Sequence, residues 1–218
     1  MPTLNEAAIL NTTLRHLKRH LRDHELIVVD GGSTDSTAQI AKNHGRLIFS
    51  RPGRARQLNS GATAATGDIL LFLHADVRLE LGAIGGIENA IAEGYAGGAL
   101  RQRIDAKHPL FRLIECAANF RAHTLRIFYG DGGIFVRRDH FYQIGGFPDL
   151  PIMEEIEFSR RLRRLGKTTL VQQRIYISPR RWKKTGIVRT TLTNWAISLL
   201  FCCGVSPARL ARLYRQVR

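Results

Sequence analysis

The spacing of apolar residues along the chain predicts alternating helices and strands. From Ile9 or Leu10 to Leu21, apolar residues recur at helical spacing within "NEAAILNTTLRHLKRHL". Three short apolar runs follow, "ELIVV", "RLIFS" and "DILLFL", and each has the composition of a buried strand. The segments between them carry glycine turns and helix-start residues, as in "GGSTDSTAQIAKNHG". This alternation favours right-handed crossovers, so we expect an α/β fold with a Rossmann-like, mostly parallel sheet covered by helices.

The same pattern continues through the second half of the chain. It predicts a helix near residues 83–93, a strand near 96–104 and a helix from about 110 to 126. The run "GGIFVRR" is typical of a strand, "MEEIEFSRRLRRLG" of an amphipathic helix, and "KTTLVQQRIYIS" of a closing strand. The segment "SPARLARLYRQVR" offers Ser206 as the N-cap and Pro207 as the first helical residue. We therefore expect one domain, residues 1–182, followed by a basic, apolar helical extension, residues 183–218.

The basic charge is confined to the last part of the chain. The formal net charge is +15, yet residues 1–157 contain 18 Lys/Arg and 18 Asp/Glu. Residues 158–218 contain 15 Lys/Arg and no acidic residue. Such asymmetry indicates an anionic partner, either nucleic acid, a phosphorylated ligand or an acidic membrane face, and the alternative is a solvated basic face. The absence of an RNP, helix-turn-helix or zinc signature argues against nucleic acid.

The C-terminal extension leaves several interpretations open. Its uncharged run, residues 194–207, is shorter than the ~20 apolar residues that span a bilayer. It could lie in the membrane interface beside arginine-rich helices, or form a hairpin packed on the domain, or form a dimer contact. Three cysteines without ligand spacing, and no signal peptide in "MPTLNEAAIL", predict a cytoplasmic protein with reduced thiols. Peripheral binding at the inner face of the cell membrane is the related expectation.

Two aspartates follow predicted strands. Asp30 ends "ELIVVD", and Asp76 comes after the run "ILLFLHA". In open parallel sheets, ligands bind beyond the carboxyl ends of the strands, where both residues are expected. Aspartate is also frequent in turns and at helix starts, and for Asp30 alone this structural role is the stronger hypothesis. For Asp76, after so apolar a strand, a functional role is the stronger one.

Several motifs in order resemble the family 2 glycosyltransferases. They are "PTLNE", "VVDGGSTDST", "RQLNSGATAATGDILLFLHAD", "GGIFVRR" and "IGGFPDLPIMEEIEFSRRLRRLG". Within that family the chain resembles the small single-domain bacterial members whose strand ends in His-Ala-Asp. The resemblance implies the A-type glycosyltransferase fold, a nucleotide-diphosphate sugar donor, a divalent cation (Mg²⁺ or Mn²⁺) and inversion at the anomeric carbon. It divides residues 1–182 into a donor half, about 1–80, and an acceptor half, about 81–182.

The resemblance makes Asp76 the metal ligand. A departing nucleotide diphosphate carries concentrated negative charge, which a divalent cation neutralises, and such cations prefer carboxylate and phosphate oxygens. The family usually has acidic residues at both ends of this triplet, whereas His74 stands at its first position here. His74 could ligate the metal, contact phosphate or be a structural residue.

The remaining donor contacts implied by the resemblance lie in the first 60 residues. Asp30 matches the acid that holds the nucleobase or its ribose, next to Gly31. Asp35 matches the second acid of that motif, and capping the following helix is an equally strong hypothesis. The residues expected to line the base pocket are Thr3, Asn5 and Glu6. Arg56 and Asn59 are expected to approach the donor, with an exposed helix position as the alternative.

The acid pair before the arginine-rich helix supplies the catalytic base implied by the resemblance. Glu155 is the predicted general base for the acceptor hydroxyl, and Glu154 supports it or contacts the acceptor. This pair is Glu-Glu where the family has Glu-Asp, so the carboxylate is one methylene further out. The alternative is that both acids only stabilise the helix N-terminus, which contributes roughly 0.3–1 kcal/mol each.

The predicted acceptor side contains Asp131 and the segment "SPRRW". Arg180, Arg181 and Trp182 resemble part of the Gln-x-x-Arg-Trp motif of polymerising family members and could bind phosphate and stack on a sugar. Ser178 replaces the glutamine of that motif, so processive synthesis is not expected. The acceptor itself is not specified, and a lipid-linked acceptor is inferred from the extension alone. A basic nucleic-acid- or anionic-membrane-binding protein without catalysis is the alternative function.

The first strand is expected to be truncated. Family members place a short apolar strand before the position of "PTLNE", whereas Met1 directly precedes Pro2 here. Loss of strand pairing leaves backbone groups without partners. We expect a chain extended upstream of Met1 to melt at a higher temperature.

Overall fold

Residues 2–49 form a three-stranded parallel sheet with helices between its strands. The computed structural model describes residues 1–21 and 23–217, with side chains as far as residue 214. The strand order is β1-β2-β3, and both pairings are parallel. The elements are β1 (Pro2–Thr3), α1 (Ala7–His20), β2 (Ile27–Asp30), α2 (Thr37–Lys42) and β3 (Arg46–Phe49). The predicted alternation of helices and strands is confirmed here.

The central strand β2 is buried along its whole length, as expected for a parallel strand covered on both faces. Helix α1 packs Leu10 and Leu14 against Val28 of this strand, and both leucines are fully buried. Strand β1 contains only two residues, which pair with Val29 and Asp30.

Residues 69–177 contain the strands of a five-stranded mixed sheet in the order β4-β7-β6-β8-β5. Strands β6 and β8 are parallel, while β7 is antiparallel to β4 and β6, and β5 is antiparallel to β8. Its elements are α3 (Arg54–Ala64), β4 (Ile69–Phe72), β5 (Val77–Leu79), α4 (Ala83–Ala92), β6 (Gly97–Ile104), α5 (Pro109–Leu125), β7 (Ile134–Arg137), α6 (Arg138–Gln143), α7 (Glu154–Leu165) and β8 (Thr168–Ile177). The α/β fold is as predicted: parallel pairing forms the whole first sheet and joins β6 to β8 in the second.

The close approach of β6 to its neighbours requires glycine. A Cβ on Gly97 would lie 2.4 Å from the Phe135 carbonyl oxygen, and one on Gly98 would lie 2.0 Å from the Thr169 carbonyl oxygen. Both distances are far shorter than a Cβ can tolerate. These two residues therefore allow β7 and β8 to pair on the two sides of β6.

An aromatic cluster fixes the segment that precedes α7. Phe147 stacks on Phe158 with ring centroids 4.2 Å apart and meets Phe72 edge-to-face at 4.9 Å. Each such pair contributes roughly 0.5–1.5 kcal/mol beyond the burial of its area. Because Phe72 belongs to β4 and Phe158 to α7, the cluster holds the start of α7 at a fixed distance from the end of β4.

Three helices follow the second sheet: α8 (Arg180–Thr185), α9 (Ile187–Cys202) and α10 (Pro207–Val217). Ile197 of α9 and Leu210 of α10 are buried together against Ile152. At the other end, Trp182 meets the Phe111 ring of α5 edge-to-face at 5.7 Å. These contacts pack the helices on the domain as a hairpin. Across residues 1–21 and 23–217, the helices all fall short of the length and hydrophobicity that crossing a membrane requires.

Candidate active site

Asp30 lies at the carboxyl end of β2 and is completely buried. Its Oδ1 accepts hydrogen bonds from the backbone N–H groups of Gly32 and Ser33, both at 2.7 Å. Its Oδ2 is buried without a hydrogen-bond partner among the described residues. A buried acceptor without a partner is costly, so this oxygen is a candidate contact for a ligand hydroxyl or N–H group.

The loop after β1 is tied to the loop after β2. The Thr3 carbonyl accepts from the Gly31 backbone N–H at 3.0 Å, and the buried Gln57 amide donates to the same carbonyl at 2.8 Å. A Cβ on Gly31 would approach the Gln57 side chain to 3.0 Å, which explains the glycine. Asn5, with a left-handed φ of 53°, accepts from the Thr34 backbone N–H at 2.9 Å. Thr3, Asn5, Gly31 and Asp30 therefore form one rigid edge, as the sequence predicts.

Asp35 uses both carboxylate oxygens at helix starts. It accepts from the backbone N–H groups of Thr37 at 2.9 Å and Ala7 at 3.2 Å, which begin α2 and α1. Hydrogen bonding to Thr37, followed by that to Ala7, holds the pKa of Asp35 below its usual value. The geometry thus favours the local, helix-start interpretation of this residue.

Arg180 links the ends of two strands that are remote in sequence. Its Nε lies 2.9 Å from Asp76 Oδ2, beyond the end of β4. Its two terminal nitrogens donate to both carboxylate oxygens of Glu6 at 2.6 and 2.8 Å. Burial raises the pKa of Asp76, with Arg180 opposing this shift and Glu6 reinforcing it. Because Glu6 adjoins the edge formed by Thr3, Asn5 and Asp30, both predicted aspartates border the same region.

Glu154 and Glu155 begin α7 and are buried, at 1% and 6% exposure. Arg54, the first residue of α3, binds both: its Nε bonds Glu154, and its terminal nitrogen lies 3.0 Å from Glu155 Oε1. Burial raises the pKa of Glu155 to about 7; Arg54 opposes this shift and the charge of Glu154 reinforces it. Glu155 is therefore a carboxyl group that changes protonation near neutral pH.

His74 and Glu155 meet at Gly130, in the 3₁₀ turn of Gly130–Gly132. A Cβ on Gly130 would lie 2.7 Å from His74 Nε2 and 2.7 Å from Glu155 Oε1. These two atoms are therefore no further apart than twice that distance. Desolvation, followed by the positive charge of Arg54, lowers the pKa of His74 to about 3, so its ring is neutral. A glycine at position 130 leaves room for the end of β4 to meet the start of α7.

Asp131 completes the cluster from the same turn. Its Oδ1 accepts from the Gln102 amide at 2.5 Å. Burial raises its pKa against the positive charges of Arg121 and Arg54, and the nearby carboxylate of Asp76 raises it further. Asp131 also raises the pKa of Glu155. The carboxylates of Asp76, Asp131 and Glu155 therefore share one region, with Arg54 and Arg180 as its cations.

The two residues predicted to approach the donor from α3, Arg56 and Asn59, are engaged elsewhere. Arg56 pairs bidentately with the exposed Asp149 at 2.8–3.0 Å. Asn59 exchanges two hydrogen bonds with the Phe147 backbone, at 2.8 and 2.9 Å, and so helps to position the segment before α7. Their predicted roles as donor contacts gain no support from these contacts.

Arg181 and Trp182 connect the C-terminal helices. The Arg181 guanidinium lies 4.5 Å from the Tyr214 ring centroid and donates to Asn194 at 3.2 Å. The Trp182 indole donates to Thr191 at 3.2 Å. Arg180 is therefore the residue of the predicted Arg180-Arg181-Trp182 group that contacts the carboxylates of Glu6 and Asp76, whereas the other two contact α9.

Sequence reasoning missed Arg54, Gln102 and Arg121. Arg54 could have been recognised as a cation in the first turn of a helix that starts beside strand ends. Arg121 has its guanidinium 3.7 Å from the Tyr129 ring centroid, beside the turn that carries Asp131. Gln102 and Arg121 come from the middle of a strand and a helix, and no motif marks them.

The donor set around Asp76 is compatible with a divalent cation that is completed by a ligand. Within residues 1–21 and 23–214, no group of three or more His, Cys, Asp or Glu side chains is arranged as a metal site. Mg²⁺ is commonly held by one or two carboxylates together with substrate phosphates, rather than by a cage of protein ligands. Asp76, with neutral His74 two residues before it, fits that mode of binding.

Comparison with known proteins agrees with this fold. A family model described as "Glycosyl transferase family 2" matches residues 1–145. A "PGL/p-HBAD biosynthesis glycosyltransferase" of Mycobacterium tuberculosis is 47% identical over 88 residues, which cover 36% of this chain and 34% of that protein. The chain thus matches about a third of the length of such curated relatives.

Two solved structures are similar in fold. A mannosyltransferase from Pyrobaculum calidifontis in complex with GDP-Man and Mn²⁺ has a TM-score of 0.69 at 20% identity, covering 99% of this chain and 68% of that one. Residues 1–349 of TarS from S. aureus, in complex with UDP-GlcNAc, have a TM-score of 0.62 at 18% identity, covering 81% and 56%. The fold is that of the A-type glycosyltransferases. The chain belongs to glycosyltransferase family 2.

Proposed function

We propose that this protein transfers a sugar from a nucleotide-diphosphate sugar to an acceptor hydroxyl, with inversion at the anomeric carbon. The observation that carries the proposal is the meeting of Glu155 with His74, two residues before Asp76, at Gly130. The proposed base, Glu155 of α7, is thereby held close to the segment after β4 that carries Asp76, the carboxylate proposed for the phosphate side. The similar structures contain GDP-Man with Mn²⁺ or UDP-GlcNAc, which supports a nucleotide-sugar donor.

The nucleoside end of the donor is assigned to Asp30 and its neighbours. The Asp30 Oδ2, buried without a partner among the described residues, would accept a hydrogen bond from a ribose hydroxyl or a base N–H group. The Asp30 carboxylate cannot turn freely, because Gly32 and Ser33 hold its other oxygen. Thr3, Asn5 and Gly31 keep the loop backbone in place around it.

The diphosphate is assigned to Asp76 and Arg180. When bound, a Mg²⁺ or Mn²⁺ ion supplies positive charge that stabilises the departing diphosphate, with Asp76 as its protein ligand. Arg180 offers a second cation at this position, because one guanidinium contacts both Glu6 and Asp76. Neutral His74 provides an imidazole nitrogen beside the phosphates without adding charge.

Glu155 is assigned the role of general base. With a pKa near 7, a substantial fraction of Glu155 is ionised at neutral pH and still basic enough to accept a proton. The acceptor oxygen forms a bond to the anomeric carbon while its proton passes to the Glu155 carboxylate. The bond between the anomeric carbon and the diphosphate oxygen breaks, and its electron pair leaves with the diphosphate. Arg54 holds the carboxylate of Glu155 in place, and Glu154 fixes Arg54 in turn.

Thermal shift with UDP-, GDP- and dTDP-sugars, with and without Mn²⁺, tests the donor side. We expect stabilisation by one nucleotide sugar that depends on Mn²⁺ and is lost in Asp76→Asn. Glu88→Asn, a change at an exposed carboxylate on α4, is the matched control. Equal stabilisation of the wild type and Asp76→Asn would refute the assignment of Asp76. NMR of the product of the stabilising donor would test inversion, since retention of the anomeric configuration contradicts it.

Nucleic-acid binding is the competing function. It explains the basic residues 158–218 but gives no role to the buried carboxylates Asp30, Glu154 and Glu155. A protein that only binds polyanions gains nothing from burying acids beside its cations. Retention on heparin or DNA with a steep salt dependence, in a protein that no nucleotide sugar stabilises, would favour this alternative.

A further inference from the structure

We propose that the outward faces of α5 and α9 dock on the surface of an anionic lipid bilayer. Helix α9 carries an apolar stripe at Val188, Leu192, Trp195 and Leu199, whose side chains are 60, 57, 47 and 65% exposed. The spacing of four, three and four residues puts all four on one side of the helix. Its opposite side is buried on the domain through Thr190 and Ile197, each at 4% exposure.

Helix α5 presents a second exposed apolar stripe. Leu113 and Phe120, seven residues apart on one face, are 62% and 68% exposed. Near the two ends of the helix, Leu110 and Leu125 are 39% and 49% exposed. So many large apolar side chains facing water on two helices is typical of an interaction surface rather than of a solvated one.

Two contacts place these helices side by side. Phe111, near the start of α5, packs on Trp182, which lies just before α9. Tyr129, just after α5, donates its hydroxyl hydrogen bond to Ser198 near the end of α9 at 2.8 Å. The helices therefore run in the same direction along one side of the protein, and docking requires their two exposed stripes to face the bilayer together. Helix α9, with 16 residues, is ~24 Å long, enough for extended contact in the membrane plane.

The charge around this surface favours an anionic bilayer. Lys183 and Lys184 at the end of α8 and Arg189 in the first turn of α9 are exposed, and residues 158–218 contain no acidic residue. Basic side chains near an anionic membrane contribute ~1 kcal/mol each. Trp195 in the middle of the stripe suits the interface between water and lipid. An apolar stripe bordered by basic residues is the pattern of helices that lie in this interface.

A second copy of the chain fits the same surface less well. In a two-fold symmetric dimer the same patch of both copies meets, so Lys183, Lys184 and Arg189 of both copies would gather at one interface. The described acidic residues all precede residue 158, so this part of the surface has none of its own to offset that repulsion. Anionic headgroups would instead neutralise these cations.

The docking surface adjoins the acceptor side of the proposed active site. Tyr129, bonded to α9, directly precedes Gly130 and Asp131. Ile152, packed against Ile197 and Leu210, lies two residues before Glu154. If the proposed function holds, an acceptor hydroxyl carried by a lipid would arrive beside Glu155. This last step rests on the proposed function, whereas bilayer docking does not.

Cosedimentation of the full chain with vesicles tests the docking. We expect binding to vesicles of phosphatidylcholine with phosphatidylglycerol, and about tenfold weaker binding to phosphatidylcholine alone. Leu192→Asp combined with Leu199→Asp should weaken binding to the mixed vesicles about tenfold or more. Leu81→Asp, at a leucine 85% exposed outside this surface, is the matched control and should bind like the wild type. The Trp195 emission should shift to the blue on binding, and Trp195→Phe should remove that shift.

Several outcomes would overturn the proposal. One is a wild type that stays in the supernatant, and another is equal binding of the wild type to both vesicle types. A third is a wild type that binds no vesicles but is a dimer in sedimentation velocity, when the double aspartate variant is a monomer. If the double variant melts below the wild type, Lys183→Glu with Lys184→Glu replaces it, with the same expected loss of binding. Without lipid, nucleotide sugars should stabilise the same variants in thermal shift as much as they stabilise the wild type. Failure of docking is therefore distinguishable from failure of the proposed glycosyl transfer.

Discussion

Arg180 Nε lies 2.9 Å from Asp76 Oδ2, while the rest of the same guanidinium holds Glu6 bidentately. One side chain from α8 thereby pairs with two carboxylates at the region proposed for the donor diphosphate. Bidentate contact is specific to arginine, because lysine offers a point charge in place of a planar fork.

Arg180→Ala should raise the KM for the nucleotide sugar about tenfold, with a smaller effect on kcat, since a charged contact to the diphosphate is lost. Arg180→Lys should recover part of the affinity but not all of it. The matched control is Arg189→Ala, at an exposed position on α9. Steady-state kinetics with a varied donor measures the difference, and an unchanged KM in Arg180→Ala would contradict the assignment to the diphosphate.

Glu155→Gln should lower kcat roughly 10²- to 10⁴-fold, because the glutamine amide cannot accept the proton of the acceptor hydroxyl. Donor stabilisation in thermal shift should persist, since Glu155 is assigned to the acceptor. Glu157→Gln, on the same helix turn but 29% exposed, is the control and should keep wild-type activity. Full activity in Glu155→Gln would remove Glu155 as the base.

The raised pKa of Glu155 predicts a dependence on pH of both activity and stability. Its pKa is about 7 when folded and 4.5 in its reference state, so between these values the folded protein binds the extra proton. The free energy of unfolding should therefore fall as pH rises through this window and level off above about pH 7. Activity should rise through the same window as the base ionises.

Melting temperatures of the wild type and Glu155→Gln, measured from about pH 5 to pH 8, isolate this contribution. The stability difference should shift in favour of the glutamine variant as pH rises. Parallel curves for the two proteins would show that Glu155 titrates at its ordinary value.

Gly130→Ala should strongly reduce activity and lower the melting temperature. Its Cβ would lie 2.7 Å from both His74 and Glu155, so these side chains would have to separate. Gly85→Ala provides a control in α4, where a Cβ meets nothing within 4 Å; we expect it to be neutral or to stabilise by ~0.5–1 kcal/mol. Activity assays and thermal melts measure both effects, and full activity of Gly130→Ala would disprove the close approach of His74 and Glu155 to position 130.

Arg54→Gln and Arg56→Gln form a matched pair on one helix. Arg54→Gln leaves Glu154 and Glu155 without their cation and should cost ~2 kcal/mol, less than a fully buried pair because Arg54 is 42% exposed. Arg56→Gln removes an exposed pair with Asp149 and should change stability by ~0.5 kcal/mol or less. Urea unfolding measures both. Greater loss of stability or of donor binding in Arg56→Gln would restore the predicted donor role of Arg56.

The sequence allowed the main architecture and several site residues to be predicted because they depend on local pattern. Asp76 was proposed because it follows an apolar strand, whereas Asp30 and Glu155 were assigned through the resemblance to the family 2 glycosyltransferases. Arg56 was assigned a donor contact and Arg54 was missed because the sequence does not tell which residues of a helix start face the sheet ends. Arg181 and Trp182 were grouped with Arg180 because they are neighbours in sequence, whereas successive helical residues point in different directions.

Other features depend on contacts between distant segments and could not be predicted locally. The antiparallel pairing of β7 with β4 and β6 depends on how the chain returns after α5, which apolar periodicity does not specify. Gln102 reaches Asp131 from the middle of β6, and the exposure of Leu192 and Leu199 is decided by the opposite side of α9 packing on the domain.

The pair formed by Glu6 and Arg180 spans 174 positions of the chain. Bringing such remote positions together requires the closure of a very long loop, so contacts of this kind tend to form late in folding. On a ribosome, Arg180 emerges long after the first sheet can assemble. The diphosphate region is therefore incomplete in a nascent chain, and the order of synthesis itself delays catalytic competence until both sheets have formed.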